Sequence, residues 1–330
     1  MSAATMTETT YKGAINKAIV DALAADDDVF FFGEDVGAAG GAFKTSVGIQ
    51  ERFGEKRVLD TPISEQAIVG LAIGAAMRGL RPLAEIMFAD FVGVAFDQIA
   101  NQLAKYRYMT GGQVDVPVTI RMANGASLGF GAQHSQTVES WFLNVTGLVL
   151  VAPSTPQDAY SLLRASIQSP DPVLVFEHKG LYNARGPVER IAPAEPLGRA
   201  AILRRGDDVT IVATQLMAAR ALAAADELAA RGVEAEVIDL RTLAPMDVDT
   251  VLESLGRTRS LVVVQEGPLA GGWASTLVTR VVTAGALLAA PPAVVASQET
   301  PVPYATNLET AWLPSVERIV DAASRPAEVA

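Results

Sequence analysis

The chain has 330 residues, half of them apolar and 19% charged, with a net charge of −11. That length can enclose two α/β domains with substantial cores, and an acidic surface repels nucleic acid and anionic lipid, so neither is expected as a partner. The absence of cysteine removes disulfides, thiolate metal sites and cysteine nucleophiles. With no signal-like start and no apolar run long enough to span a bilayer, a cytoplasmic protein is expected.

Tyr11 to Ala24 predicts a helix, with Ile15, Ile19 and Leu23 at helical spacing. Val29 to Phe32 predicts a buried strand, and Gly33-Glu34-Asp35 after it reads as an acidic turn or as residues at a strand's carboxyl end, where α/β sheets place ligands. In Asp60-Thr-Pro-Ile-Ser-Glu65, Ser64 is a candidate N-cap and Glu65 falls in the first turn of a helix that is apolar on nearly every side through Met77. Such a helix is expected to be buried. Glu65 then either complements the helix dipole or is a desolvated carboxyl fit to exchange a proton with a ligand nitrogen. Phe96, Ile99 and Leu103 make the apolar face of a further helix, opposite Asp97, Asn101 and Lys105.

Val116 to Ile120 predicts the next strand. Between Asn124 and Gln136, three glycines in seven residues allow close backbone approach to a ligand before His134 is presented, one of only two histidines. A structural role for His134, and a helix-capping role for Ser135, are the plainer alternatives. Strands are expected at Leu148 to Ala152 and Val173 to Phe176, the latter running into Glu177-His-Lys179, a site or a solvated turn. Gly186 to Gly198, with Pro187, Pro193 and Pro196, suits an extended linker, dividing domains 1–190 and 191–330. A second parallel series follows at Val209 to Ala213, Glu236 to Leu240 and Leu261 to Val264, with a helix over Leu216 to Arg231. Glu266-Gly-Pro and Gly271-Gly-Trp273 could line a contact with another chain or form a turn around a packed tryptophan. The fold class is therefore α/β with two open, mostly parallel sheets. No P-loop, nucleotide fingerprint, His-Glu-x-x-His or Gly-x-Ser-x-Gly motif is present.

Several stretches together resemble the beta subunits of pyruvate, acetoin and branched-chain 2-oxo acid dehydrogenases: Gly33-Glu-Asp-Val36, Asp60-Thr-Pro-Ile-Ser-Glu65, Gly79-Leu-Arg-Pro82, Phe88-Ala-Asp-Phe91, Phe96-Asp-Gln98, Ala132-Gln-His-Ser-Gln136, Val237-Ile-Asp-Leu-Arg-Thr242 and Thr300-Pro-Val-Pro-Tyr304. The resemblance implies a pyrimidine-binding domain followed by a transketolase C-terminal-type domain. It also implies a two-alpha, two-beta heterotetramer with thiamine diphosphate at each alpha-beta interface. The alpha chain of such enzymes holds magnesium and the diphosphate, and a lipoyl-bearing acyltransferase takes the product. Glu65 then matches the glutamate at the pyrimidine ring nitrogen, Phe91 an aromatic against that ring with Ile63 beside it, and Glu34 an acidic neighbour. His134 matches the histidine facing substrate, where it binds a carboxylate or transfers protons during acyl transfer to lipoamide. Many members also hold a structural potassium ion, around Val118, Ser166, Ile167, Ser169 and Asp171 here. The expected reaction is decarboxylation of a 2-oxo acid, pyruvate foremost, or cleavage of acetoin. A two-chain transketolase-like carboligase and a non-catalytic scaffold are the alternatives.

Overall fold

The computed structural model describes residues 6–190 and 195–324. Residues 191–194, at the heart of the expected linker and including Pro193, lie outside the described residues, as does most of the chain before Thr10. The chain divides into two compact units. The first runs to Asn124 and resumes over Trp141–Leu197, and the second takes Gly125–Ser140 and everything from Gly198.

In chain order the first unit contains β1 (Met6–Thr10), α1 (Tyr11–Ala25), β2 (Val29–Gly33), α2 (Ile49–Phe53), β3 (Val58–Asp60), α3 (Glu65–Ala76) and β4 (Arg81–Phe88). Then come α4 (Tyr106–Met109), β5 (Thr119–Asn124), β6 (Val149–Val151), α5 (Pro156–Gln168), β7 (Val173–His178) and β8 (Arg185–Glu189). Strands of this unit align in the order β6-β7-β5-β4-β2-β3, every pair parallel. Their carboxyl ends therefore collect the residues that follow β2, β4 and β7 at one edge, which is where open α/β sheets bind ligands. Helices α1 and α5 pack together; Thr10 caps the first, and Thr155 with Asp158 forms a capping box on the second.

Two local expectations change. Gly186–Glu189, read as the start of an extended linker, lies in the strand Arg185–Glu189, paired antiparallel with β1; Pro187 is tolerated because a two-stranded ribbon has open edges. Helix α3 is not buried all round: Ile68, Val69, Ala72 and Ile73 face the core, whereas Gly70, Leu71, Gly74 and Met77 are exposed. The Phe96 to Leu103 segment keeps its expected face in part: Ile99 and Leu103 are buried and Asp97 and Asn101 exposed, but Phe96 is exposed too, and the turns are π-helical over Gln98–Leu103.

The second unit contains β9 (Ala201–Arg204), β10 (Val209–Ala213), α6 (Gln215–Ala229), β11 (Ala235–Asp239), β12 (Thr242–Ala244), α7 (Val248–Thr258), β13 (Leu261–Val264), α8 (Trp273–Thr283), β14 (Ala293–Val295), α9 (Thr306–Trp312) and α10 (Val316–Ala323). Its sheet order is β14-β13-β10-β11-β9, parallel except for the antiparallel edge strand β9. The core gathers Ile211, Val237, Val262 and Val264 from the strands with Met217, Ala221 and Leu228 from α6 and Ile319 from α10. Trp273 is 1% exposed and donates its backbone N–H to Ser140 Oγ at 3.1 Å. Trp273 is thus packed just after a turn and Glu266 faces inward, whereas Pro268, Leu269 and Gly271 of the same segment are exposed.

Candidate active site

Glu65 owes its position to helix initiation. Ser64 Oγ accepts the Ala67 N–H at 3.4 Å, which fixes Glu65 in the first turn, where the helix dipole favours an anion. The carboxyl is nevertheless withdrawn from water, at 8% exposure. No donor among the described residues engages it. Glu34, the residue after β2, is equally buried. Burial, reinforced by the charges of Glu65 and then Asp35, holds the Glu34 carboxyl above the ordinary carboxylate range. Glu34 and Glu65 are thus two buried acids that sense each other's charge.

Phe91 lies in the turn Ala89–Ala95 beyond β4, half-buried. Its ring meets Phe88 edge-on with centroids 5.4 Å apart, and Phe88 meets Phe43 in the same manner at 5.4 Å. The ammonium of Lys179 sits 5.4 Å above the Phe88 ring, a cation-π contact. Ile63 is 83% exposed. Glu34, Glu65 and Phe91 thus belong to one unit, and the acids and the aromatic cluster are both built from residues at or beyond strand ends.

Sequence reasoning singled out Glu177 but missed its partners in the same sheet. Glu85 on β4 lies in register with Arg121 on β5, and Glu177 on β7 pairs with Ala123, the next residue of β5 on the same face as Arg121; Glu85, Arg121 and Glu177 are all nearly inaccessible. Arg121 Nε donates to Glu177 Oε1 at 2.8 Å, its other nitrogens donate to Glu177 and Glu85, and the Tyr182 hydroxyl donates to Glu177 at 3.2 Å. Burial works against the guanidinium charge, but Glu177 and then Glu85 outweigh it and push its pKa up, so Arg121 is permanently charged. Burial raises Glu85 despite Arg121. Glu177, His178 and Lys179 are buried, so this strand end is not a solvated turn.

His134 belongs to the second unit. It is half-buried, in a turn where its N–H donates to the Gly131 carbonyl at 3.4 Å. Ser135 is wholly buried and caps no helix.

The donors expected for potassium are already engaged. The Val118 carbonyl accepts from Val173 N–H, the Ser166 hydroxyl donates to Leu162 O, and the Ile167 and Ser169 carbonyls accept from Arg81 at 3.3 and 3.4 Å. Arg107 pairs with the Asp171 carboxylate. Two guanidinium groups, those of Arg81 and Arg107, thus lie against residues expected to surround the ion. Among the described residues no group of three or more His, Asp or Glu side chains could hold a metal ion.

Comparison with known proteins gives the family. Models of the transketolase pyrimidine-binding domain and the transketolase C-terminal domain match residues 7–185 and 198–319. The chain is 46% identical over 331 residues to the acetoin:2,6-dichlorophenolindophenol oxidoreductase subunit beta of Cupriavidus necator, covering 95% of this chain and 96% of that one. It is 44% identical to the 3-methyl-2-oxobutanoate dehydrogenase subunit beta of Mycobacterium tuberculosis, over 94% and 90%. The chain belongs to the transketolase-like family of dehydrogenase beta subunits. The pyruvate dehydrogenase E1 component subunit beta-1 of Arabidopsis thaliana, a mitochondrial protein, is another relative of this beta-subunit chain at 43% identity over 96% and 89%. The beta-subunit fold also matches a solved chain described as split gene transketolase, inactive beta4 tetramer, with a TM-score of 0.77 at 24% identity, over 95% and 96% of the two chains. In this beta subunit, the matched pyrimidine-binding domain is the one that carries Glu34, Glu65 and Phe91. No helix among the described residues is long and apolar enough to cross a membrane.

Proposed function

We propose that this chain supplies the pyrimidine-side half of a two-chain thiamine-diphosphate enzyme that decarboxylates a 2-oxo acid or cleaves acetoin and passes the acyl group to lipoamide. The observation that carries this reading is the buried Glu65 carboxyl at the head of a capped helix, beside a second buried acid. Those residues fit the coenzyme: Glu65 would hold a proton at the pyrimidine ring nitrogen, Phe91 would cover the ring and Ile63 would border it. When bound, thiamine diphosphate supplies a carbon nucleophile and an electron sink for cleavage beside a carbonyl. Glu34 keeps a proton in reserve next to Glu65, because burial and like charge both favour its neutral form. His134 would bind the substrate carboxylate or move a proton during acyl transfer. The sequence lacks the Gly-Asp-Gly motif expected of the chain that anchors magnesium and diphosphate, so the remaining half of the site is assigned to an alpha chain.

A second chain also accounts for apolar surface that a lone protein would leave wet. Ile63 at 83%, Leu71 at 51% and Met77 at 41% exposure sit on or beside α3, with Gly70 and Gly74 between them offering close backbone approach. The relatives' names as beta subunits accord with assembly into a heterotetramer.

The test is reconstitution with the alpha chain, thiamine diphosphate and magnesium, followed by dye reduction over pyruvate, acetoin and branched 2-oxo acids, with lipoyl domain or free aldehydes as acceptor. Turnover of one of these substrates with lipoyl domain is expected. Activity with aldehydes alone would replace the dehydrogenase reading by a carboligase, and no activity in any assembly would leave a scaffold.

A further inference from the structure

The loop that carries His134 has an unusual backbone. Gly125, Ser127, Gly129 and Gly131 all have positive φ, at 82°, 86°, 69° and 74°. Ser127 is the only one of the four with a side chain, and it adopts the left-handed region at a conformational cost. Left-handed residues interspersed in a loop turn neighbouring N–H groups toward one side, which is how backbone makes a cradle for an anion.

In this protein the anion is part of the chain. Glu309, in the first turn of α9 and 2% exposed, accepts from Ser127 N–H at 2.9 Å through Oε1 and from Gly129 N–H at 3.2 and 3.0 Å through its two oxygens. Glu266, also buried, accepts from Ala126 N–H at 2.6 Å, and its carbonyl accepts from the Thr137 hydroxyl at 3.1 Å. Gly125 N–H donates to Gln136 O at 3.2 Å and closes the base of the loop. Below, Ala126 packs with Val302, Trp312 and Leu313, so α9 and the loop share one small core. Hydrogen bonds to a charged acceptor are the strong kind, and in a buried setting they fix geometry more firmly than a neutral contact.

We infer that Glu309 is a positioning residue for His134: its carboxylate, held in the loop's N–H cradle, fixes the backbone from which the histidine projects. This rests on the role proposed above for His134. Glu309 touches no reacting group itself and acts through the loop.

The test uses the assembled two-chain enzyme with Glu309→Ala, Glu309→Gln, His134→Ala and the Glu309→Ala/His134→Ala double variant. Amide hydrogen exchange across 125–136 should speed up in Glu309→Ala while β10 and β13 stay protected. Glu309→Gln, which keeps one acceptor oxygen, should lie between it and the parent, and it serves alone if the alanine variant does not assemble. Turnover with lipoyl domain should fall roughly ten- to a hundredfold, as for a misplaced catalytic group. In the His134→Ala background the same change should cost almost nothing, because the two act as one unit. Unchanged exchange at Ser127 and Gly129 overturns the inference, as does an equal loss of turnover in both backgrounds, the mark of a purely structural role. If His134→Ala leaves turnover intact, the role of His134 fails and the inference with it, while exchange reports on the Glu309 tether independently of that reading.

Discussion

Replacing Arg121 with methionine would leave two carboxylates in the middle of the first sheet without their counter-ion. Glu85 and Glu177 have side-chain exposures of 7% and 1%, so water cannot take the place of the guanidinium. Removing one partner of a buried ion pair typically costs about 3–5 kcal/mol, because an uncompensated charge stays behind. Here two acids are orphaned at once, so the expected loss lies at or above that range, and burial raises the Glu85 pKa. The sign with pH follows from the raised pKa. A carboxyl that binds its proton more tightly when folded is penalised as pH rises through its folded pKa, and the penalty vanishes below its unfolded pKa. Urea unfolding at pH 7 and at pH 5 should therefore show a large loss that shrinks in acid. Replacing all three residues by apolar ones should recover most of it. A loss under about 1 kcal/mol, or one that does not change with pH, would refute the reasoning about the buried triad.

Neutralising Glu65 as Glu65→Gln should lower the pKa of Glu34, since the Glu65 charge is one of the causes that raise it; an NMR titration of the Glu34 carboxyl that shows no downward shift would mean the two acids do not sense each other. Exchanging potassium for sodium at constant ionic strength should leave the unfolding midpoint unchanged, because Arg81 already donates to the Ile167 and Ser169 carbonyls, and a potassium-specific rise would contradict this. Gly206→Ala should destabilise the second unit by roughly 1–3 kcal/mol as a rigid clash, since a Cβ there would lie 2.3 Å from the Ala235 carbonyl carbon and 2.5 Å from Glu234 O; a neutral result in urea unfolding would show that the turn has room to move.

What sequence made legible, and what it did not, divides along physical lines. Strands buried on both faces and built of apolar residues stand out, so Val29, Val173, Val209 and Leu261 begin strands where the apolar runs begin. Strand β4 did not, because Arg81, Pro82 and Glu85 interrupt its apolar pattern, and Glu85 is tolerated there only through Arg121 on the neighbouring strand. For the same reason β5 runs through Arg121 to Asn124 instead of stopping at Ile120. The start of α3 and the burial of Glu65 were readable from a serine cap and an apolar run. The exposure of its other face was not, since periodicity cannot separate a helix buried in its own fold from one whose second face awaits a partner. Glu309 was invisible as a site residue: it lies 180 and 182 residues from the two loop residues it holds, and no local pattern marks a carboxylate that serves distant backbone N–H groups.

The most direct test of the central claim compares Glu65→Gln with the parent chain, each assembled with the alpha chain, thiamine diphosphate and magnesium. A carboxyl that exchanges a proton with the coenzyme predicts a fall in turnover of roughly a hundred- to ten-thousandfold, with the coenzyme still retained through its diphosphate on the other chain. Parental turnover in the variant, or full activity of this chain alone, would contradict it.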